Sequence, residues 1–319
     1  MPKVVYFATV PPAVRDIVAS QVPEGWEFTT LTSGDPQEKE TKFREADYIL
    51  VATERITEEM LANAPRLRLI QHQGVGYDNI DMAAARRRGV PVALTPEGTS
   101  VGVAEHTFLL ILSLYKKILQ AHRSLIEGKW LVWDLRPHSY EICGKTIGLI
   151  GFGRIGQEVA KRAVAFEAKP VYCDVVPASP EVERRCGATR LSLEELLRTS
   201  DIVSLHVPRT PQTVGMIGAR ELALMKATAV LINTARGGLV DEAALYRALA
   251  ERRIAGAGLD VFEEEPPAPD NPLFGLDNVV LTPHISAGTK DALVTKMKAA
   301  FANMLRVHQG VPPHNQVSE

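Results

Sequence analysis

The sequence predicts an α/β protein of two doubly wound parallel-sheet domains, one inserted into the other. Three features of the chain point there. From residue 3 to about 93, short apolar runs alternate with polar, helix-like stretches, most clearly at 4–8, 48–52, 67–71 and 90–93. From residue 144 the alternation restarts, with runs at 146–150, 171–173, 202–206, 229–233, 258–261 and 279–282. Between the two series lies a helical segment from about 101 to 127, too long for a loop. Apolar runs separated by helices are the pattern of parallel strands covered on both faces, and 319 residues exceed the usual size of one domain.

The second series gives a six-strand sheet. Residues 290–309 are again helical and lie beyond its last strand, so the chain is expected to cross back near residue 288. The domains are then residues 1–100 plus 288–319, and 101–287 as the insert. The tail after Gly310 reads as disordered, and no low-complexity tract or short-period repeat is present.

Composition narrows the function. With 45% hydrophobic and 23% charged residues, the chain is an ordinary globular one, and a formal charge of −2 gives no drive toward nucleic acid or an anionic membrane. Cys143, Cys173 and Cys186 lack a Cys-x-x-Cys spacing, which argues against a disulfide framework or a metal site and suits a reducing compartment. The N-terminus enters a strand without a leader pattern, and the apolar run at 108–114 is too short to span a bilayer. A cytoplasmic protein is expected.

The first run of the second series leads directly into Gly151-Phe152-Gly153-Arg154-Ile155-Gly156. In such a Gly-x-Gly-x-x-Gly turn the first glycine permits the tight turn, the second lets the backbone approach a pyrophosphate, and the third lets the new helix pack on its strand. The phosphates then meet unused amides at the positive end of the helix dipole. By itself the turn fits an ordinary strand-to-helix junction equally well. The next strand, however, ends in Asp174, twenty-three residues after Gly151, where a ribose-binding acid belongs. A carboxylate there accepts from ribose hydroxyls and repels a 2′-phosphate, and Val175-Val176-Pro177 brings no Arg or Lys. The insert is expected to be a Rossmann domain for NAD, not NADP.

Three later strands end in residues fit for chemistry. Arg236 follows the run at 229–233, beside Gly237 and Gly238; an arginine at this edge can clamp a planar carboxylate with two charge-assisted hydrogen bonds, or pair structurally with Asp241. The next strand runs into Asp260 and then Glu263-Glu264-Glu265, and the last into Thr282-Pro283-His284. A lone histidine or a solvated acidic run would each be ordinary. Arginine, carboxylate and histidine arriving at one carboxyl edge fit that explanation poorly, because ligands of open α/β sheets bind there.

Over essentially its whole length the chain resembles the D-isomer-specific 2-hydroxyacid dehydrogenase family. The resemblance is carried by Gly74-Val75-Gly76-Tyr77-Asp78-Asn79-Ile80-Asp81, Val103-Ala104-Glu105-His106-Thr107, Gly144-Lys145-Thr146, the Gly151 turn, His206-Val207-Pro208, Thr234-Ala235-Arg236-Gly237, Leu259-Asp260-Val261-Phe262 with Glu265-Pro266, and Thr282-Pro283-His284-Ile285. It implies that the outer domain is flavodoxin-like and binds substrate. It implies further that His284 is the acid–base catalyst, Glu265 its carboxylate partner, Arg236 the substrate anchor, and that amides of Val75 and Gly76 hold the substrate carboxylate. Cofactor-binding positions carried over with it are Gly151, Gly153, Arg154, Ile155, Gly156, Asp174, His206, Val207, Pro208, Thr213, Thr234, Ala235 and Asp260, the last on the nicotinamide carboxamide. No metal is implied, and a homodimer formed largely through the long helical segment is.

The chemistry expected is reduction of a 2-keto acid. His284 as imidazolium supplies the proton, Glu265 favours that charged form, and Arg236 stabilises charge on the carbonyl oxygen. A cleft between the domains is expected to close on hinges near 100 and 288. Glyoxylate, hydroxypyruvate, phosphohydroxypyruvate and pyruvate share the same keto-carboxylate, so the triad does not choose among them. No regulatory domain of the kind found in many phosphoglycerate dehydrogenases is expected, which favours glyoxylate or hydroxypyruvate. The formate-oxidising branch carries Gln where this chain has Glu265; the phosphite-oxidising branch typically has Lys in the substrate loop, where this chain has Gln73 just before Gly74. A co-repressor-like NAD-sensing scaffold is the alternative of a different class.

Overall fold

The computed structural model describes residues 1–317. The chain divides into two compact units, Met1–Thr99 together with the chain from Gly288 onward, and Ser100–Ala287. Among the described residues each unit is one parallel sheet with helices on both faces.

The first unit holds β1 (Lys3–Thr9), β2 (Glu27–Leu31), β3 (Tyr48–Val51), β4 (Leu69–His72) and β5 (Val92–Ala93), in the order β2-β1-β3-β4-β5. That is the flavodoxin-like order, with its switch point between β1 and β3. The clearest apolar runs mark four of these strands; β2, Glu-Phe-Thr-Thr-Leu, is an edge strand of mixed polarity that periodicity does not single out. One face packs Val5, Phe7, Ile49, Val51 and Ile70 on the helices of residues 36–87, and the other packs Val4, Tyr48, Leu50 and Leu69 on Met297, Ala300, Phe301 and Met304 of the helix Lys290–His308.

The second unit holds β6 (Thr146–Ile150), β7 (Lys169–Cys173), β8 (Thr189–Arg190), β9 (Ile202–Leu205), β10 (Val230–Asn233), β11 (Gly256–Leu259) and β12 (Val279–Leu281). Their order is β12-β11-β10-β9-β6-β7-β8, all parallel, with the reversal between β6 and β9 that creates a binding crevice at the strand ends. The sheet therefore has seven strands, not six. The extra one is a two-residue polar edge pairing with Val171 and Tyr172, invisible to any search for apolar runs.

Two further expectations are corrected. The segment at 101–127 is two helices, Thr99–Tyr115 and Ile118–Ile126. The Tyr115 carbonyl, which the next helical turn would need, accepts from the Tyr140 amide at 2.9 Å, and Lys117 takes a left-handed φ of 51°. The stretch after Gly310 is not loose up to Val317: Val317 N donates to Val92 O at 2.9 Å, Leu94 N to Asn315 O at 3.0 Å, and buried Asn303 pairs with both backbone groups of His314. Polar composition suggested disorder where main-chain pairing supplies order; residues 318 and 319 of that tail lie outside the described residues.

Candidate active site

The cofactor turn is shaped by what its glycines exclude. Gly151 has φ +97°, and a Cβ there would lie 2.5 Å from the His206 carbonyl oxygen; one on Gly156 would lie 2.3 Å from Gly151 O. Gly153 has no atom within 4 Å of its Cβ position, so the backbone is open on the side a pyrophosphate would approach. The helix Arg154–Ala165 begins there without a side-chain cap, leaving its first amides to a ligand.

Asp174 stands at the end of β7. Its Oδ2 accepts from Phe152 N at 2.6 Å and its Oδ1 from Val176 N at 3.0 Å. These bonds aim the carboxylate into a cavity of about 460 Å³ lined by Phe152, Gly153, Gln157, Pro177 and Ala178 among others. An open glycine, an uncapped helix start and an oriented acid beside a cavity fit an adenosine dinucleotide. NAD would be held by these groups, and in its reduced form would supply a hydride.

The remaining cofactor positions line neighbouring strand ends. His206 follows β9; Ser204 Oγ lies 2.9 Å from its Nε2, and burial pushes the imidazole down to about 3, so it is neutral near pH 7. The turn beyond Val207 is folded on Thr213, whose hydroxyl donates to Pro208 O at 2.7 Å and accepts from Thr210 N at 2.8 Å. Thr234 is buried with its hydroxyl 3.2 Å from that of Thr107, and Ala235 N donates to Asn233 Oδ1 at 3.0 Å.

Asn233 closes the arginine turn, its Nδ2 donating to Arg236 O at 2.9 Å, while Arg236 Nη1 donates to Ala235 O at 2.7 Å. Asp241, the acid considered above as a structural partner, instead caps the helix Glu242–Ala250 by accepting from Ala244 N. The turn is pressed against the next loop: a Cβ on Gly237 would sit 1.6 Å from Phe262 O.

His284 and Glu265 meet directly, Nδ1 to Oε2 at 2.7 Å, and Glu265 Oε1 accepts from Phe262 N at 3.1 Å. Burial works against the Glu265 charge, but the hydrogen bond and charge of His284, the Phe262 amide and the nearby Arg236 outweigh it and hold the carboxyl below its ordinary range. Arginine, glutamate and histidine are thus brought together at one edge. Glu263 faces elsewhere, exchanging hydrogen bonds with Glu242 across the start of its helix.

Asp260 is fully buried, and its carboxylate is the anchor of the histidine loop. It accepts from Thr282 Oγ1 at 2.6 Å and from the amides of Ile285 and Ser286 at 2.9 Å, while its own carbonyl accepts from His284 N at 2.8 Å. His106 Nε2 lies 2.9 Å from Thr282 Oγ1 and 3.6 Å from Asp260. His106, Thr282 and Asn233 had no role in the reading of the chain; the first two lie in motifs already singled out, so the signal was present but its use, in fixing a loop, is visible only in three dimensions.

In the first unit, Val75 and Gly76 lie on the loop after β4. Its start is tied by Gln73 N to Val51 O at 2.7 Å and Thr95 N to Gly74 O at 2.9 Å, and the Val75 and Gly76 amides make no hydrogen bond among the described residues. Asn79 Nδ2 holds the neighbouring loop through Ala52 O and Glu54 O.

Among the described residues no helix is long and apolar enough to cross a membrane, and no cluster of metal-ligating side chains occurs. Residues 108–286 match the family model of the D-isomer specific 2-hydroxyacid dehydrogenase NAD binding domain. A glyoxylate reductase of Thermococcus litoralis is 43% identical over 87% of this chain and 85% of its own length. A D-3-phosphoglycerate dehydrogenase of Archaeoglobus fulgidus is 42% identical over 83% of this chain, which spans only half of that enzyme. A crystal structure of a protein from Thermus thermophilus aligns with a TM-score of 0.88 at 35% identity, covering 99% of this chain and all of that one. A glycine turn built for a dinucleotide, a histidine–glutamate pair beside an arginine, and these similarities agree: the chain belongs to the D-isomer-specific 2-hydroxyacid dehydrogenases, NAD-dependent enzymes that move a hydride between the nicotinamide and a small 2-hydroxy or 2-keto acid.

Proposed function

We propose that this protein reduces glyoxylate or hydroxypyruvate with NADH, using Arg236, Glu265 and His284. The observation that carries the proposal is the 2.7 Å bond between His284 and Glu265, at the edge where Arg236 also emerges. Arg236 grips the keto acid, and the unused amides of Val75 and Gly76 take its carboxylate. As the carbonyl carbon gains the hydride, its oxygen takes a proton from the His284 imidazolium, which ends neutral; Glu265 stabilises the imidazolium beforehand. Asp260 acts through the loop it anchors and keeps His284 at Glu265. The substrate class follows from the curated glyoxylate reductases that this chain matches over most of their length.

The unit Ser100–Ala287 takes the cofactor and the unit of Met1–Thr99 and Gly288 onward the substrate. A cytoplasmic homodimer completes the proposal, supported by three unpaired cysteines and by apolar side chains left exposed on the second unit, including Leu119, Leu125, Ile126, Trp130 and Trp133. Initial rates with NADH over glyoxylate, hydroxypyruvate, phosphohydroxypyruvate and pyruvate test the substrate. One of the first two should have the highest kcat/KM; a tenfold advantage for phosphohydroxypyruvate would contradict the assignment, and no turnover with any of them would favour a binding scaffold.

A further inference from the structure

On the sheet face covered by the helix Lys290–His308, two glutamines stand two residues apart and are used differently. Gln71 is fully buried and fully engaged: its Nε2 donates to Thr95 Oγ1 at 2.8 Å and Ala93 O at 3.2 Å, and its Oε1 accepts from Asn303 at 3.1 Å. Its work is structural. Gln73, just past β4 and next to Gly74-Val75-Gly76, is half-buried, and its Oε1 accepts from the Tyr6 hydroxyl at 2.6 Å.

Tyr6 is 4% exposed on β1, in register with Leu50 of β3, which is in register with Gln71 of β4. Burial pushes its phenol up to about 12, the hydrogen bond to Gln73 pulling the other way, so the hydroxyl keeps its proton and needs an acceptor. The amide must therefore turn its oxygen to Tyr6; the opposite orientation would strand the phenolic proton. Gln73 Nε2 consequently points away from Tyr6 with two protons to donate, and makes no hydrogen bond among the described residues.

We propose that Gln73, oriented by Tyr6, determines specificity by donating a hydrogen bond to a polar substituent on carbon 3 of the keto acid, the hydroxyl of hydroxypyruvate being the smallest example. The inference rests on the proposed binding of the substrate carboxylate at Val75 and Gly76, immediately beyond Gln73 in the chain. Glyoxylate and pyruvate offer no such acceptor. A donor held ready for a hydroxyl discriminates against an analogue that leaves it unpaired.

The test is the ratio of kcat/KM for hydroxypyruvate to that for pyruvate, with NADH, in the wild type, Gln73→Met and Tyr6→Phe. Wild type should favour hydroxypyruvate. Gln73→Met should lower the ratio several-fold to about tenfold, the scale of one neutral hydrogen bond, mainly through the KM for hydroxypyruvate. Tyr6→Phe, which spares Gln73 but releases its amide to turn, should lower the ratio by less. An unchanged ratio in Gln73→Met, or an equal loss with both acids, would overturn the inference while leaving the proposed reaction intact. A wild type that reduces glyoxylate but neither of these acids would overturn the inference alone, and one that reduces none of the three would overturn the reaction with it; should Gln73→Met fail to fold, an unchanged ratio in Tyr6→Phe is decisive against the inference.

Discussion

Three consecutive glutamates follow Phe262, and their neighbours separate them. Glu263 is tied to Glu242, Glu264 is exposed, and Glu265 reaches His284. In keto-acid reduction the histidine must start protonated, and the Glu265 carboxyl, held below its ordinary range, is ionised throughout neutral pH and favours that state. Glu265→Gln removes the charge, so the high-pH decline of the reduction rate should move to lower pH. A slower reaction with deuterated NADH establishes that the hydride step limits; an unmoved profile under that condition would make Glu265 a bystander. Arg236→Lys keeps the charge but loses the planar fork, and kcat/KM with keto acids should fall roughly a hundredfold while NADH still binds by fluorescence titration. Near wild-type efficiency would make Arg236 structural. At this scale the chain is informative because arginine, acid and histidine each lie in the loop that follows a strand. Which of three glutamates matters is named only by the resemblance at Glu265-Pro266; the run of acids does not by itself distinguish them, since that depends on a loop closed by Gly237 against Phe262.

At the scale of elements, strands buried on both faces announced themselves and polar edges did not. β6, β9 and β10 are buried along nearly their whole length and built mostly of Ile, Leu and Val, whereas β8 is Thr-Arg and the tail at 311–317 is held by backbone bonds that no side-chain pattern records. The helix break at Lys117 was hidden for the same reason, because a carbonyl taken by Tyr140 is a tertiary event. The start of β6 depends on one half-buried acid. Asp201 accepts from Thr146 N at 2.9 Å and Lys226 Nζ at 2.8 Å; burial opposes its charge, but these partners prevail and lower its pKa. A depressed carboxyl stabilises the fold above its unfolded value of about 3.9 and loses that contribution as pH falls through the lower folded value. Asp201→Asn should therefore cost about 1 kcal/mol at pH 7, and the Tm gap to wild type should narrow as the buffer is taken below about pH 3.9. A gap that stayed constant with pH would mean the charge contributes nothing.

For the whole molecule, the alternation of apolar runs and helices predicts two parallel sheets, whose strand order and polar edges only the structure supplies, and one turn and one aspartate predict the cofactor. The proposed dimer draws its support from the surface. Leu125, Ile126, Trp130 and Trp133 are each more than half exposed on the second unit, an arrangement that water penalises unless a partner covers it. Light scattering at micromolar concentration should report twice the chain mass; a single 34.9 kDa species would contradict the dimer. The proposed reaction is hydride transfer from the nicotinamide to the keto carbon with a proton from His284. It is tested most directly by reducing hydroxypyruvate with NADH carrying deuterium at nicotinamide carbon 4, wild type beside His284→Ala, and analysing the product. D-glycerate with deuterium on carbon 2 is expected, formed roughly a hundredfold or more slowly by the variant; an L product, a product that takes its carbon-2 hydrogen from solvent, or an undiminished rate in His284→Ala would refute the reaction.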